Sequence, residues 1–167
     1  MEQPTFSVSL ACEDNPACIF TGMYMPIAIT VKNTESYPIG FPRSYLQSRG
    51  PTMTLTDRET GQQKILKLGM PNRALLKDLT TLNPGETLSM STVINEAELT
   101  AFRTQYVDLV AEIGFTAKIR VPDREETVQA KGGNTLRIIG KDTLERETQL
   151  KSGSEYRPRE NSLRWKP

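Results

Sequence analysis

The residues with the greatest chemical potential in this chain are two cysteines, Cys12 and Cys18, set in the stretch ACEDNPACIF at residues 11–20. A zinc site needs about four ligands from Cys, His, Asp or Glu. The chain has no histidine, and two thiolates with Glu13 and Asp14 make an unusual set. Thioredoxin-type redox pairs are spaced C-x-x-C, whereas five residues intervene here. A disulfide or two reduced, half-buried thiols remain. Asn15-Pro16 favours a reversal that brings the two Cα atoms within the ~7 Å a bridge tolerates. An even cysteine count flanking a turn points to the bridge, and with it to an oxidising compartment.

Catalytic chemistry finds little to work with. Without histidine there is no Ser-His-Asp or Cys-His mechanism. KGGNT, at residues 131–135, lacks the spacing and the lysine of a phosphate-cradling loop. Carboxylates cluster at Glu13/Asp14, Asp57/Glu59 and Asp123/Glu125/Glu126, each in a predicted turn, where acids cap or solubilise more often than they catalyse. Calcium at residues 123–126 is the next reading, with a thin ligand count. No catalytic residue, cofactor or metal is therefore expected.

Binding is better supplied. The connection YPIGFPRSYLQSRGP, residues 37–51, carries Tyr37, Phe41, Arg43, Tyr45 and Arg49 among three prolines. Tyrosine and arginine are the types enriched at interface hot spots, and prolines stiffen a loop so that less entropy is lost on binding. The alternative is that its apolar residues cover one end of the fold while the arginines stay in water. A second connection, residues 69–79, offers Arg73 and Lys77, and sequence does not bring the two segments together. Trp165, the only tryptophan, lies in the polar stretch 141–167 with Tyr156 and Leu163. That stretch reads either as a solvated tail or as an arm that docks on its own domain or a partner.

The elements that must position these residues are extended. Residues 106–121, YVDLVAEIGFTAKIRV, alternate apolar and mostly polar positions, the mark of a strand with one buried and one wet face. A bulge or corner is expected at Gly114. Residues 5–11, 26–33 and 87–94 alternate likewise, the second stopping at Asn33. Residues 52–57 and 63–68 flank the 57–61 turn as a hairpin. Pro84-Gly85 makes a turn, and Gly132-Gly133 suggests a further hairpin over 126–140. Residues 95–103 alone read as a helix, capped by Asn95 with Leu99 and Phe102 inward. Such a pattern indicates an all-β antiparallel sandwich over residues 1–140, with one short helix and a C-terminal arm at 141–167.

Four segments, namely FSVSL, MYMPIAITVKNTESYPI, LNPGETLSMS and YVDLVAEI, resemble the layout of bacterial immunoglobulin-like sandwich domains over roughly residues 5–121. Matching positions are residues 27–33, Pro38-Ile39, residues 82–86 and the strand at 106–113. The resemblance implies the fold; members of that group serve as adhesive, inhibitor and scaffold modules. The stretch after residue 121 departs from the pattern.

At 37 % hydrophobic and 25 % charged residues the composition is that of a globular protein. A net charge of +1 argues against a broad duplex nucleic-acid surface. No apolar run approaches the ~20 residues of a membrane-spanning helix. The start, MEQPTFSVSL, lacks the basic and apolar regions of a secretory signal. A periplasmic or secreted protein whose signal has been removed is expected, with the cytoplasm as the alternative. The function expected is non-enzymatic binding of another protein, as an inhibitor or immunity-type module. The alternative is an accessory subunit of a cell-envelope or secretion assembly that docks through its arm.

Overall fold

A computed structural model describes residues 4–155. The elements run β1 (Phe6–Cys12), β2 (Ile19–Phe20), β3 (Met25–Asn33), β4 (Ile39–Phe41), α1 (Arg43–Arg49), β5 (Thr52–Asp57) and β6 (Gln63–Ile65). A 3-10 turn (Arg73–Lys77) leads on to β7 (Thr80–Leu82), β8 (Thr87–Ile94), α2 (Glu96–Leu99), β9 (Asp108–Ile119), β10 (Val128–Gly140) and α3 (Lys141–Glu155).

Strand alternation sets the layers. On β3, Met25, Ile27, Ile29, Val31 and Asn33 point inward; on β9, residues from Leu109 to Ile119 do so at every second position. A three-stranded sheet in the order β1-β3-β8 and a five-stranded sheet in the order β2-β10-β9-β5-β6 bury these faces in one shared core, as in a β-sandwich. β4 and β7 form a small third sheet. Pairing is antiparallel throughout, except where β2 lies parallel to the end of β10.

Several sequence signals hold. The β5–β6 hairpin forms, with Gly61 at φ 78° in its turn. Gly85, at φ 80°, turns the chain into β8 and donates its N–H to the Asn33 carbonyl. Asn33 is buried but fully engaged, its amide reaching the Tyr37 and Leu82 carbonyls at 2.9 Å each. Asn95 caps α2 in a reciprocal capping box with Glu98.

The disulfide also forms. Cys12 and Cys18 are bridged across a Cα separation of 5.4 Å. Asn15 shapes the loop: its side chain donates to the Ile19 carbonyl at 2.7 Å and accepts from the Ile19 N–H at 3.1 Å. Cys18 adopts a φ of 52°, a left-handed conformation rare for a side-chain-bearing residue, and its carbonyl accepts from Ile139 N–H at 3.1 Å. The bridge thus holds β2 against the end of β10. Changing both cysteines to serine should lower stability by about 2 kcal/mol, the chain-entropy value for so short a loop. Urea melts with and without a reductant check this: reductant should reproduce the loss in the parent and leave the double variant unmoved.

Three expectations are corrected. Gly132-Gly133 is not a turn: β10 runs straight through both residues, in unbroken register with β9 from Val128↔Ile119 to Ile139↔Asp108. The same register passes Gly114 without a bulge. These glycines answer close approach instead. A Cβ at Gly114 would lie 2.7 Å from the Gly132 carbonyl oxygen, and one at Gly132 would lie 2.4 Å from the Phe6 ring. The third correction concerns helix content. Besides α2, shorter than expected, the chain forms α1 within the segment read as a loop and α3 at the start of the segment read as an arm.

α3 follows β10 directly and docks through polar groups. The buried Thr143 hydroxyl donates to the Val107 carbonyl at 2.9 Å, and Asp142 accepts from Tyr106 N–H at 2.9 Å. Arg137 on β10 grips Asp108 with two bonds of 3.0 Å and reaches Glu147 on α3 at 2.9 Å. Its hydrogen bonds to Asp108, against an opposing push from burial, hold the guanidinium above its ordinary pKa. Arg146 stacks 4.2 Å over the Tyr106 ring. Tyr156, Leu163 and Trp165 lie outside the described residues.

Candidate functional site: a basic groove beside the first helix

The prolines of residues 37–51 bracket a helix. Pro42 stands at the N-cap of α1, and Gly50, at φ 88°, ends it by donating its N–H to the Leu46 carbonyl at 2.7 Å. Leu46 anchors the helix in the core and Tyr45 packs at its margin. The opposite side binds the free edge of β8. There Gln47 donates to the Ser91 carbonyl at 2.9 Å and accepts from Ser91 N–H at 3.2 Å, while Arg43 Nε donates to the Ser89 carbonyl at 3.1 Å. Gln47 therefore satisfies that edge as a neighbouring strand would.

The two connections that sequence left unrelated meet here. Ser44 donates to Asp78 at 2.9 Å, and Gly69 N–H reaches the Arg49 carbonyl at 2.7 Å. Gly69 is required by space, because a Cβ there would lie 2.9 Å from the Ser48 carbonyl. The 3-10 turn starts from Asn72, whose side chain accepts from Ala74 N–H at 3.2 Å. These ties enclose a groove of about 460 Å³ between α1, the turn and the β9–β10 pair.

Tyr45, Arg49 and Arg73 line it, joined by Lys118 of β9 and by Gln129, its cross-strand partner on β10. No carboxylate lines the groove, and none pairs with Arg49, Arg73 or Lys118 among the described residues. Three cations around one tyrosine make a site for anionic groups: the arginines offer planar forks for carboxylates and the lysine a compact charge. Sequence reading missed Lys118. Its signal was a cation on the wet face of the 106–121 strand, which gains meaning only once α1 is placed beside it.

The remaining candidate residues separate from the groove. Phe41 is corrected outright: it is fully buried and cannot meet a partner. It is the hub of an aromatic cluster, edge-to-face with Phe6 at 5.2 Å and with Phe115 at 6.4 Å. Tyr37 is half-buried against the core, and burial, with Glu35 adding to it, pushes its phenol pKa up. Arg43 is committed to β8. Trp165 is outside the described residues.

The turn acids divide as well. Glu13, Asp14 and the acids at 123–126 are exposed. Asp57 is buried and accepts from the Thr60 hydroxyl at 2.6 Å and from Arg103 at 2.7 Å, while Arg103 also bonds Glu59 at 2.7 Å. Burial pushes the Asp57 carboxyl up, and the bonds from Thr60 and Arg103 together outweigh it, leaving the group below its ordinary value. This cluster braces the β5–β6 turn against the segment that follows α2.

No protein-family model matches the chain, and no curated protein matches it. Among solved structures, the sporulation control protein Spo0M from Bacillus subtilis is 12 % identical with a TM-score of 0.42, over 92 % of this chain and 56 % of that one. The putative ApaA protein from Bordetella pertussis is 14 % identical with a TM-score of 0.40, over 83 % and 94 %. A β-glucosidase from Erythrobacter marinus is 12 % identical with a TM-score of 0.41; the match covers 82 % of this chain and only 15 % of the enzyme. Likeness at this level assigns neither a family nor an activity.

Proposed function

We propose that this chain is a non-enzymatic protein-binding module that holds an acidic segment of another protein in the groove beside α1. The observation that carries the reading is the convergence of Arg49, Arg73 and Lys118 around Tyr45, with no carboxylate among the lining residues. Cations left without ion-pair partners among the described residues attract an acidic ligand, speed its encounter and select against basic ones. The β-sandwich is read as immunoglobulin-like from the strand and turn pattern of residues 5–121, and the Cys12–Cys18 bridge supports export to an oxidising compartment. An inhibitor or immunity-type role is the concrete form of this reading.

The test uses a fluorescein-labelled deca-glutamate peptide, with deca-lysine as control, followed by anisotropy at low salt. The acidic peptide should bind and the basic one should not. Changing Arg49, Arg73 and Lys118 together to alanine should weaken binding at least tenfold and leave the melting temperature within a few degrees, since all three lie at the surface. Equal binding of both peptides, or an unchanged affinity in the triple variant, would discard the groove as the recognition site.

A further inference from the structure

The strand edges of the sandwich are treated unequally. The free edge of β8 is covered by Gln47 and Arg43. At the outer edge of β1, Asn134 donates to the Val8 carbonyl at 3.0 Å. β6 pairs only with β5. The flanking bonds, Asp57 N–H to the Gln62 carbonyl and Leu66 N–H to the Met53 carbonyl, fix the ladder phase. Lys64 then pairs inward with Leu55, and the N–H and C=O of Gln63 and Ile65 turn outward. Beside them Ile65 is 78 % exposed.

This edge borders a second groove, of about 620 Å³, between β6, the end of α1 and the end of β8. Arg49, Lys64 and Lys67 stand around it, and no salt bridge engages any of them among the described residues. Its one carboxylate, Glu98, is turned to the Asn95 N–H in the α2 capping box. We infer that the β6 edge receives an extended acidic segment of a partner protein as an added strand, its acids on the Lys64 face and its apolar residues packing on Ile65.

The charges select this occupant over others. A second copy of the chain pairing antiparallel through β6 would set Lys64 against its own counterpart, and like charges directly opposed oppose pairing. The chain's own residues 156–167 hold Arg157, Arg159, Arg164 and Lys166 against a single acid, Glu160, a composition that does not complement these cations. An acidic strand satisfies both the cations and the open backbone groups, the mode in which main-chain bonds supply affinity and alternate side chains supply specificity. Apart from the shared Arg49, the surface is separate from the groove beside α1.

The experiment is backbone amide exchange followed by NMR during titration with a Glu-Val alternating decapeptide, and in parallel with its Lys-Val counterpart. At saturation the acidic peptide should slow exchange of the Gln63 and Ile65 amides about tenfold, while the basic peptide leaves them unchanged. Ile65→Pro removes the outward donor without touching the β5 ladder, a position an edge strand tolerates. It should keep its melting temperature and lose protection at Gln63. A Lys64→Glu, Lys67→Glu double variant should transfer the preference to the basic peptide, and it decides the matter should Ile65→Pro fail to fold. Absence of slowing, equal slowing by both peptides, or slowing at β8 instead of β6 would overturn the inference. An Arg73→Ala, Lys118→Ala variant, which spares the shared Arg49, keeps the deca-glutamate test of the groove beside α1 distinct, so failure of one surface leaves the other standing.

Discussion

An Arg103→Ala variant is expected to lose about 2 kcal/mol of stability at neutral pH, below the ~3–5 kcal/mol of a fully buried broken pair because Arg103 is itself 25 % exposed. The loss arises on Asp57, whose side chain is 1 % exposed and would keep only the Thr60 hydroxyl as a side-chain partner. The pH dependence identifies the cause. In the parent, Asp57 titrates below its unfolded value, so its contribution is present above the ordinary carboxylate pKa and is lost as pH falls through the folded one. Without Arg103, burial is opposed only by the Thr60 hydroxyl and the Glu59 backbone, and the carboxyl rises from its value in the parent. The variant binds its proton at higher pH than the parent does, so its deficit should shrink as pH falls towards about 4. Urea melts from pH 7 to pH 4 measure this. A deficit constant across that range would place the loss in packing instead of charge.

The second large effect is expected at Gly132. A Gly132→Val variant should cost about 3 kcal/mol, the upper range for overpacking a filled core. The added Cβ would meet Cε2 of Phe6 at 2.4 Å and Cδ2 at 2.8 Å. The ring has little room to retreat: it is 5 % exposed and rests edge-on against Phe41, which in turn meets Phe115. The check is a double-mutant cycle with Phe6→Ala. Removing the ring opens the space a valine needs, so the double variant should be more stable than the sum of the two single losses predicts. Strict additivity would show that the two positions do not compete for the same volume.

The strands were legible because their signal is local. Alternation over residues 26–33 and 106–121 states which side chains are inward, and no distant residue is needed to read it. Asn33, Pro84-Gly85 and the Asn95 capping box carried the ends of elements for the same reason. The two cysteines flank a turn whose own residues bring them together. What escaped depends on partners far along the chain. Gly132-Gly133 has the composition of a turn, and only partners distant in sequence, the Phe6 ring at Gly132 and the Ile113 carbonyl at Gly133, explain why side chains are excluded there. β2 has two residues and exists because Ile139 offers its N–H to the Cys18 carbonyl. α1 could have been found: Pro42 before it and Gly50-Pro51 after it are start and stop signals, and the abundance of prolines hid them. Of the groove, Tyr45, Arg49 and Arg73 were visible as residue types. Their meeting with Lys118 was not, since it rests on Ser44 reaching Asp78 and on Gly69 fitting against the end of α1.

Gln47 has a consequence for how many molecules can join. Propagating a filament by sheet extension takes two receptive borders on each subunit, so that every newcomer presents a fresh landing place. Here the side-chain amide of a helical residue occupies the Ser91 backbone groups on one border. β8 borders the three-stranded sheet and β6 the five-stranded one, so a strand arriving at β6 lengthens one layer while the covered border of the other layer stays closed to a second newcomer.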